Sequence, residues 1–298
     1  MPTVMELVKQ LREMTGAGML ECKKALEENN LDLDKAVQYL REKGIAKAAK
    51  KQSRIAAEGL CTVKAEGNNA ILFELNSETD FVAKNPMFSS LISNFEELFL
   101  SSKVASTEDA LKIVSKGKTV EQLIAEATAT IGEKISLRRV TLVKKNKTQS
   151  FGLYKHMGGK IVVLSVLEGD NPEVAKNIAM HVAANNPRFL DKQSVDPETL
   201  KNEEHIIREV AIKENEEAAK PKPAVVLEKN IIPGRLQKLL ESICLVDQPY
   251  VKDPNITVSE YLKQNKTSIV SFLRLEVGEG LEKRVDDFAA EVAAQAKL

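Results

Sequence analysis

Thr79-Asp80-Phe81-Val82 sets an acid beside a large aromatic, and the chemistry open to that pair is non-covalent: a charge and an apolar group, used within the fold or at a protein contact. Covalent chemistry has no comparable set of residues. His156, His181 and His205 stand apart, without the His-x-x-x-His step that puts two metal ligands on one helix face. Cys22, Cys61 and Cys244 are scattered, odd in number and free of Cys-x-x-Cys spacing, so they read as free thiols. Gly158-Gly159-Lys160 lacks the earlier glycine and the following Ser or Thr of a phosphate-cradling loop and reads as a hairpin turn. No nucleophile with its base and no paired carboxylates occur at recognised spacing. The expectation is a chain with no catalytic residue, no metal and no cofactor. An enzyme would need groups assembled from distant segments.

The composition agrees with a binding role. With 298 residues and 43% hydrophobic content, the chain can bury a substantial core in two or three compact units. Lysine plus arginine and aspartate plus glutamate each total 43. That balance leaves no net field to draw the protein onto nucleic acid or an anionic membrane, so a protein partner is expected. No apolar run approaches the roughly 20 residues of a membrane span, and a reducing cytoplasm is the expected location.

The elements that must position these residues follow from periodicity. Val4, Leu7, Val8, Leu11 and Met14 fall at helical spacing, and Gly16 and Gly18 permit a tight turn after them. A second helix is expected from about Met19 to Glu28. A third follows Asp32, a good N-cap, with Leu33, Ala36, Val37 and Leu40 on one face and Gly44 closing it. Arg41 to Arg54 is basic and poor in apolar residues, which reads as a solvated linker. Cys61 to Lys64, a turn at Glu66-Gly67-Asn68-Asn69, and Ala70 to Asn76 then read as a hairpin. Phe88, Leu91, Ile92, Phe95, Leu98 and Phe99 place an amphipathic helix against it.

A similar pattern returns about 92 residues later, which suggests a duplicated subdomain. Gly159 answers Gly67, Ile161 to Leu167 answers the second strand, and Val174-Ala-Lys-Asn177 repeats Val82-Ala-Lys-Asn85. The second copy has Pro172-Glu173 where the first has Asp80-Phe81. The scaffold therefore does not need Asp-Phe, while Val82 reads as scaffold. On spacing alone Phe81 is either a core plug or an exposed contact, and Asp80 either a helix cap or a functional acid. Between Asp196 and Ile243 lies a charged stretch with an apolar stripe, interrupted by Lys220-Pro221-Lys222-Pro223, which reads as a helical hairpin arm. Strand-like Ile269 to Val277 and a final helix around Phe288 and Val292 follow.

Asn76-Ser-Glu-Thr-Asp-Phe-Val-Ala-Lys-Asn85 resembles the Thr-Asp-Phe-Val signature of the elongation factor Ts family. Thr15-Gly-Ala-Gly-Met-Leu-Glu-Cys-Lys-Lys-Ala-Leu26 resembles that family's ubiquitin-associated-like N-terminal module. Ile178 to Ala184 resembles its second core helix, and Phe288 to Ala294 its final helix. The four matches are co-linear. The resemblance implies an α+β fold: a three-helix module at 1–45, a basic linker at 46–56, a core subdomain at 57–148, and a second at 149–285 carrying the arm at about 196–243. A C-terminal helix at 286–298 completes it.

The same resemblance implies a guanine-nucleotide exchange factor of translation that binds elongation factor Tu with GDP. Thr79, Asp80, Phe81 and Val82 would form the loop that enters the GTPase near its magnesium site. Arg12, Met19, Leu20 and His156 match further GTPase contacts. Methionine at helical spacing belongs to a core more often than to an interface, so Met19 or Leu20 supports docking only if exposed, and His156 is equally a plain turn residue. Self-association through the arm stays open, because the prolines at 221, 223 and 233 interrupt helices.

Magnitudes constrain this mechanism. A gain of roughly ten-thousandfold requires about 5.5 kcal/mol, whereas one buried interface aromatic supplies about 2 to 4 kcal/mol. The remaining surface must supply the difference. Two readings compete: a ubiquitin-binding or nascent-chain adaptor, resting on the N-terminal module, and RNA binding, resting on Lys47 to Arg54 and Lys144 to Lys147. The first leaves the duplicated core unexplained. Stable nucleic-acid binding is not expected on the charge balance.

Overall fold

The computed structural model describes residues 3–282, so the helix expected at 286–298, with Phe288 and Val292, lies outside the described residues. The chain divides into two compact units. One takes the residues through Lys144, Lys155–Ile161 and those from Leu275 on; the other takes Lys145–Tyr154 and Val162–Arg274. Helices and strands are mixed in an α+β arrangement.

The first unit begins with three helices. A reciprocal bond pair between Thr3 and Glu6 starts α1 (Val4–Thr15), and Gly16, at φ 66°, ends it. Leu7, Val8 and Leu11 of α1 share a core with Cys22, Ala25 and Leu26 of α2 (Met19–Glu28) and Ala36 of α3 (Leu33–Lys51). Asp32 caps α3 by accepting from Lys35 N at 3.1 Å. Gly44 does not close this helix; α3 runs on to Lys51, so much of the expected linker is helical. The reason is tertiary: a methyl group at position 44 would stand 3.1 Å from the Ala129 side chain. The glycine serves close helix approach, not termination.

The sheet follows: β1 (Glu58–Glu66) and β2 (Asn69–Ser77) form an antiparallel hairpin around Gly67. After β2 come α4 (Asp80–Ala83), α5 (Pro86–Ser102), α6 (Thr107–Lys112) and a small hairpin of β3 (Val114–Ser115) and β4 (Lys118–Thr119). Then come α7 (Val120–Ile131) and β5 (Ser136–Lys144), which gives the sheet order β1-β2-β5. The helical stripe read from sequence is buried: Phe88, Phe95 and Phe99 of α5 meet Phe73 of β2 in one core. Phe73 and Phe99 pack edge to face at 5.2 Å.

Glu74 is fully buried in the central strand, and the sheet bends to satisfy it. Leu72 pairs with Thr141 and Glu74 with Arg138, so Arg139 and Val140 together oppose Phe73. Neighbouring residues of a regular strand point to opposite faces. Here Arg139 adopts φ 52°, and the bulge brings both arginines to one carboxylate, at 2.7 Å from Arg139 Nε and 3.3 Å from Arg138 Nη1. Asn76 Nδ2 and Gly278 N each donate to Glu74 Oε1 at 2.7 Å. Glu74→Gln is expected to destabilise this unit by about 3 kcal/mol, because it leaves two half-buried guanidinium groups without the buried charge they pair with. Urea titration followed by amide exchange in β2 and β5 checks it; a loss under about 1 kcal/mol would contradict the reading.

The second unit is built on β6 (Gln149–His156), β7 (Ile161–Glu168) and β10 (Ile269–Glu276), in the order β10-β7-β6. Between β7 and β10 lie α8 (Pro172–Asn185), α9 (Pro197–Glu216), α10 (Ala224–Val226), α11 (Ile232–Ile243), the short β8 (Pro249–Tyr250) and β9 (Asp253–Thr257), and α12 (Val258–Gln264). Pro221 and Pro223 fall in the connection before α10. Pro233 interrupts nothing: a π-helical stretch, Leu227–Ile231, joins α10 to α11 and widens the helix just before the proline ring. Ala211, Leu227 and Ile232 make a small core there, while Ile206 and Val210 stay exposed.

His181 of α8 is fully buried. Its Nδ1 accepts from Val251 N at 3.1 Å, which makes Nε2 the donor to Gln248 Oε1 at 2.8 Å and fixes a neutral ring. Burial pushes its pKa below the ordinary 6.5, and the Gln248 bond opposes this in part. The folded state thus favours the neutral ring. Its contribution to stability is complete above about pH 6.5 and is lost as pH falls through the lowered folded value. The urea midpoint of this unit should drop on acidification from neutrality. A ring titration seen by NMR at or above the ordinary value would contradict it.

Candidate functional site

Thr79 to Val82 lie where the central strand of the first unit leaves the sheet. The Ser77 hydroxyl donates to Thr79 O at 2.9 Å, and Thr79 is extended, with φ −127° and ψ 159°. Its side chain does not cap α4. Instead the Glu133 carboxylate accepts both Thr79 N, at 2.9 Å, and Thr79 Oγ1, at 2.7 Å. Val82 and Ala83 are buried, and Val82 joins the phenylalanine core. Val82 thus anchors the turn from below. Phe81 points outward and is 78% exposed. Asp80, half-exposed, pairs with Lys84 at 3.2 Å, and the Lys84 ammonium stands 5.8 Å from the Phe81 ring centroid. Such an exposed pair holds little energy and is easily exchanged for a partner's charge.

A local sequence reason makes this helix one turn long. Asn85 takes extended backbone because Pro86 follows it, and it then caps α5 by accepting from Met87 N at 2.8 Å. In the matching stretch of the second unit Asn177 is followed by Ile178, and α8 continues unbroken. The proline therefore turns Asp80–Ala83 into a separate turn with Phe81 on its outer side.

The other candidates occupy two further places. Arg12 is exposed on α1, and Met19 and Leu20, 50% and 83% exposed, open α2. The turn just before α2 touches the ground around α5: a methyl at Gly16 would stand 3.2 Å from Thr130 Cγ2 and 3.7 Å from Met87 Cε. His156 is exposed on a different element, the end of β6, beside exposed Met157. The following Gly159 abuts Cys61 O closely enough that a methyl would sit at 2.7 Å.

Four residues here escape motif reading: Glu78, Lys84, Glu133 and Lys134. Lys84 carries a sequence signal, its four-residue step from Asp80. Glu133 has none, being 54 residues from its partner. Burial raises the pKa of all three thiols, Cys61's to about 12. Among the described residues no three His, Cys, Asp or Glu side chains cluster as a metal site, and no helix is long and apolar enough to cross a membrane.

The family profile for "Elongation factor TS" matches residues 78–279, more than half of the chain and from the displayed turn onward. The chain is also 58% identical over 290 residues to "Elongation factor Ts" of Acholeplasma laidlawii (strain PG-8A), covering 97% of each chain. These matches set it among the proteins of translation elongation. The chain belongs to the elongation factor Ts family.

Because Phe81 is exposed and Val82 buried, their truncations should separate. Phe81→Ala is expected to change folding stability by under about 0.5 kcal/mol, and Val82→Ala to cost about 2 kcal/mol. Denaturant midpoints of the two variants check the orientation of the turn; equal losses would contradict it.

Proposed function

We propose that this chain is a guanine-nucleotide exchange factor that binds elongation factor Tu with GDP and promotes GDP release without covalent chemistry. The observation that carries the reading is Phe81, held outward on a turn whose next two residues, Val82 and Ala83, are buried. An exposed aromatic on a fixed support can enter a partner at little entropic cost. Phe81 acts as the wedge near the magnesium and nucleotide site of the GTPase, and Asp80 disturbs the polar contacts there. Displacing the helices that hold phosphate and metal weakens both without any bond being broken.

Thr79 supports this pair, while Arg12, Met19, Leu20 and His156 supply further GTPase contacts. The exposure of Met19 and Leu20 favours docking over a core role. That added surface is needed, because about 2 to 4 kcal/mol from one aromatic falls short of the energy a large acceleration requires. Reciprocity follows: nucleotide bound to the GTPase weakens the complex by the factor that the complex weakens nucleotide. The N-terminal helices are read as a ubiquitin-associated-like docking module, and the paired helices at about 196–243 as an arm. Exposed Ile206 and Val210 leave that arm a face for a partner or for a second copy. The setting is the cytoplasm.

Stopped-flow release of labelled GDP from elongation factor Tu tests the reading. The wild-type chain should accelerate release, and Phe81→Ala should reduce the catalysed rate at least about tenfold with an unchanged far-UV spectrum. A folded variant with full activity would remove the wedge from the mechanism.

A further inference from the structure

We infer that Glu133 is a positioning residue for the Asp80–Phe81 turn, and that residues 132–134 register this turn against the end of α3. The inference rests on the exchange reading above and deepens it. A helix of four residues cannot hold itself together, since the nucleus of a helix is unfavourable in isolation. Three anchors hold α4. Val82 and Ala83 fix it from below, Asn85 and Pro86 end it, and the Glu133 carboxylate grips Thr79, the residue just before it, through two hydrogen bonds. Both bonds are charge-assisted, the stronger kind, and together with the Ser77 hydroxyl on Thr79 O they fix the N-terminal side of Phe81.

The grip is reciprocal. Lys134 N donates to Glu78 Oε1 at 2.6 Å, so each loop offers the other a carboxylate one residue from where it receives one. The residues on either side of Glu133 reach the end of α3. Gly132 O accepts from Lys51 Nζ, and Lys134 Nζ donates to Gln52 O at 2.6 Å and to Arg54 O at 2.9 Å. Arg54 closes the ring on Glu78 at 3.2 Å. Gly132 permits the arrangement, ending α7 at φ 92° and turning the chain back toward Thr79. Above it α7 lies on α3 through Gly44 and Ala129 and through Arg41 and Glu126, at 3.4 Å. Because α3 is packed in one core with α2, which carries Met19 and Leu20, a continuous set of contacts runs from that patch to Phe81.

Removing the carboxylate lowers the fraction of molecules that present Phe81 in the productive place, and the apparent affinity falls by that fraction. A double-mutant cycle on GDP release from elongation factor Tu tests this with the full chain: wild type, Glu133→Ala, Phe81→Ala and the double variant. Glu133→Ala should slow catalysed release about tenfold, and the double variant should be no slower than Phe81→Ala alone. Thr79→Val, which keeps the side-chain shape and removes the hydroxyl donor, should reproduce part of the loss and serves if Glu133→Ala folds poorly. In the free protein, amide exchange at Lys84 and Asn85, whose N–H groups bond Phe81 O and Val82 O, should quicken in Glu133→Ala. Losses that multiply in the double variant would make Glu133 an independent contact and overturn the positioning role. A slow Phe81→Ala beside a normal Glu133→Ala would overturn it alone. An unimpaired Phe81→Ala beside a slow Glu133→Ala would sink the wedge reading and, with it, positioning of that wedge.

Discussion

The sheet of the first unit is bent around a buried carboxylate in its central strand. A buried carboxylate is tolerable only when its lone pairs are filled by charged or backbone donors, and Glu74 meets that condition by forcing a bulge into β5. The bulge gives two arginines one target. The Gly278 N–H then ties the chain beyond β10 to the same point, and Arg139 bonds Glu279 as well at 2.8 Å. Close backbone approach follows from these ties: a methyl at Gly278 would stand 2.2 Å from Ala57 O, and one at Gly59 the same distance from Leu75 O. With β2 fixed in this way, the point at which the chain leaves the sheet, Ser77 to Thr79, is fixed too.

From that exit the two units part company for a reason of one residue. Each sends a buried strand into a helix through a stretch reading Val-Ala-Lys-Asn. Where isoleucine follows, the stretch becomes the early turns of α8; where proline follows, it becomes a turn of its own. A separate turn can carry an outward aromatic because its buried residues need only two positions, Val82 and Ala83. With its ring exposed, Phe81 adds little to folding stability, so its type is not set by the fold.

How much of this was legible in the sequence depends on range. The helices α1 and α2, the hairpin about Gly67 and the phenylalanine stripe of α5 all follow from period and turn chemistry within a few residues. Gly44 misled because glycine has two uses, ending a helix and admitting a neighbour, and only the distant Ala129 decides between them. The prolines of 221–233 misled in part for a similar reason, since a π-helical stretch accommodates Pro233. Phe81 was ambiguous until burial of Val82 showed which side of the turn faces the core. Glu74 and Glu133 were beyond local reading altogether: one depends on a bulge in the register of β5, the other on a loop more than fifty residues away in the chain.

The missing side chain at Gly44 has a mechanical consequence. Here α3 rests on α7 at Gly44 as a beam rests on a pivot, and Ala48, one turn further on, is buried as well. A packing shift of about 0.3 Å at position 44, over the roughly 6 Å to Ala48, is a tilt of about 3°. Carried along the roughly 16 Å of helix back to Leu33, it becomes a displacement of about 0.8 Å. Misplacements of that size are costly wherever two surfaces must engage together. The absence of a single methyl group thus sets the angle at which the N-terminal helices are carried.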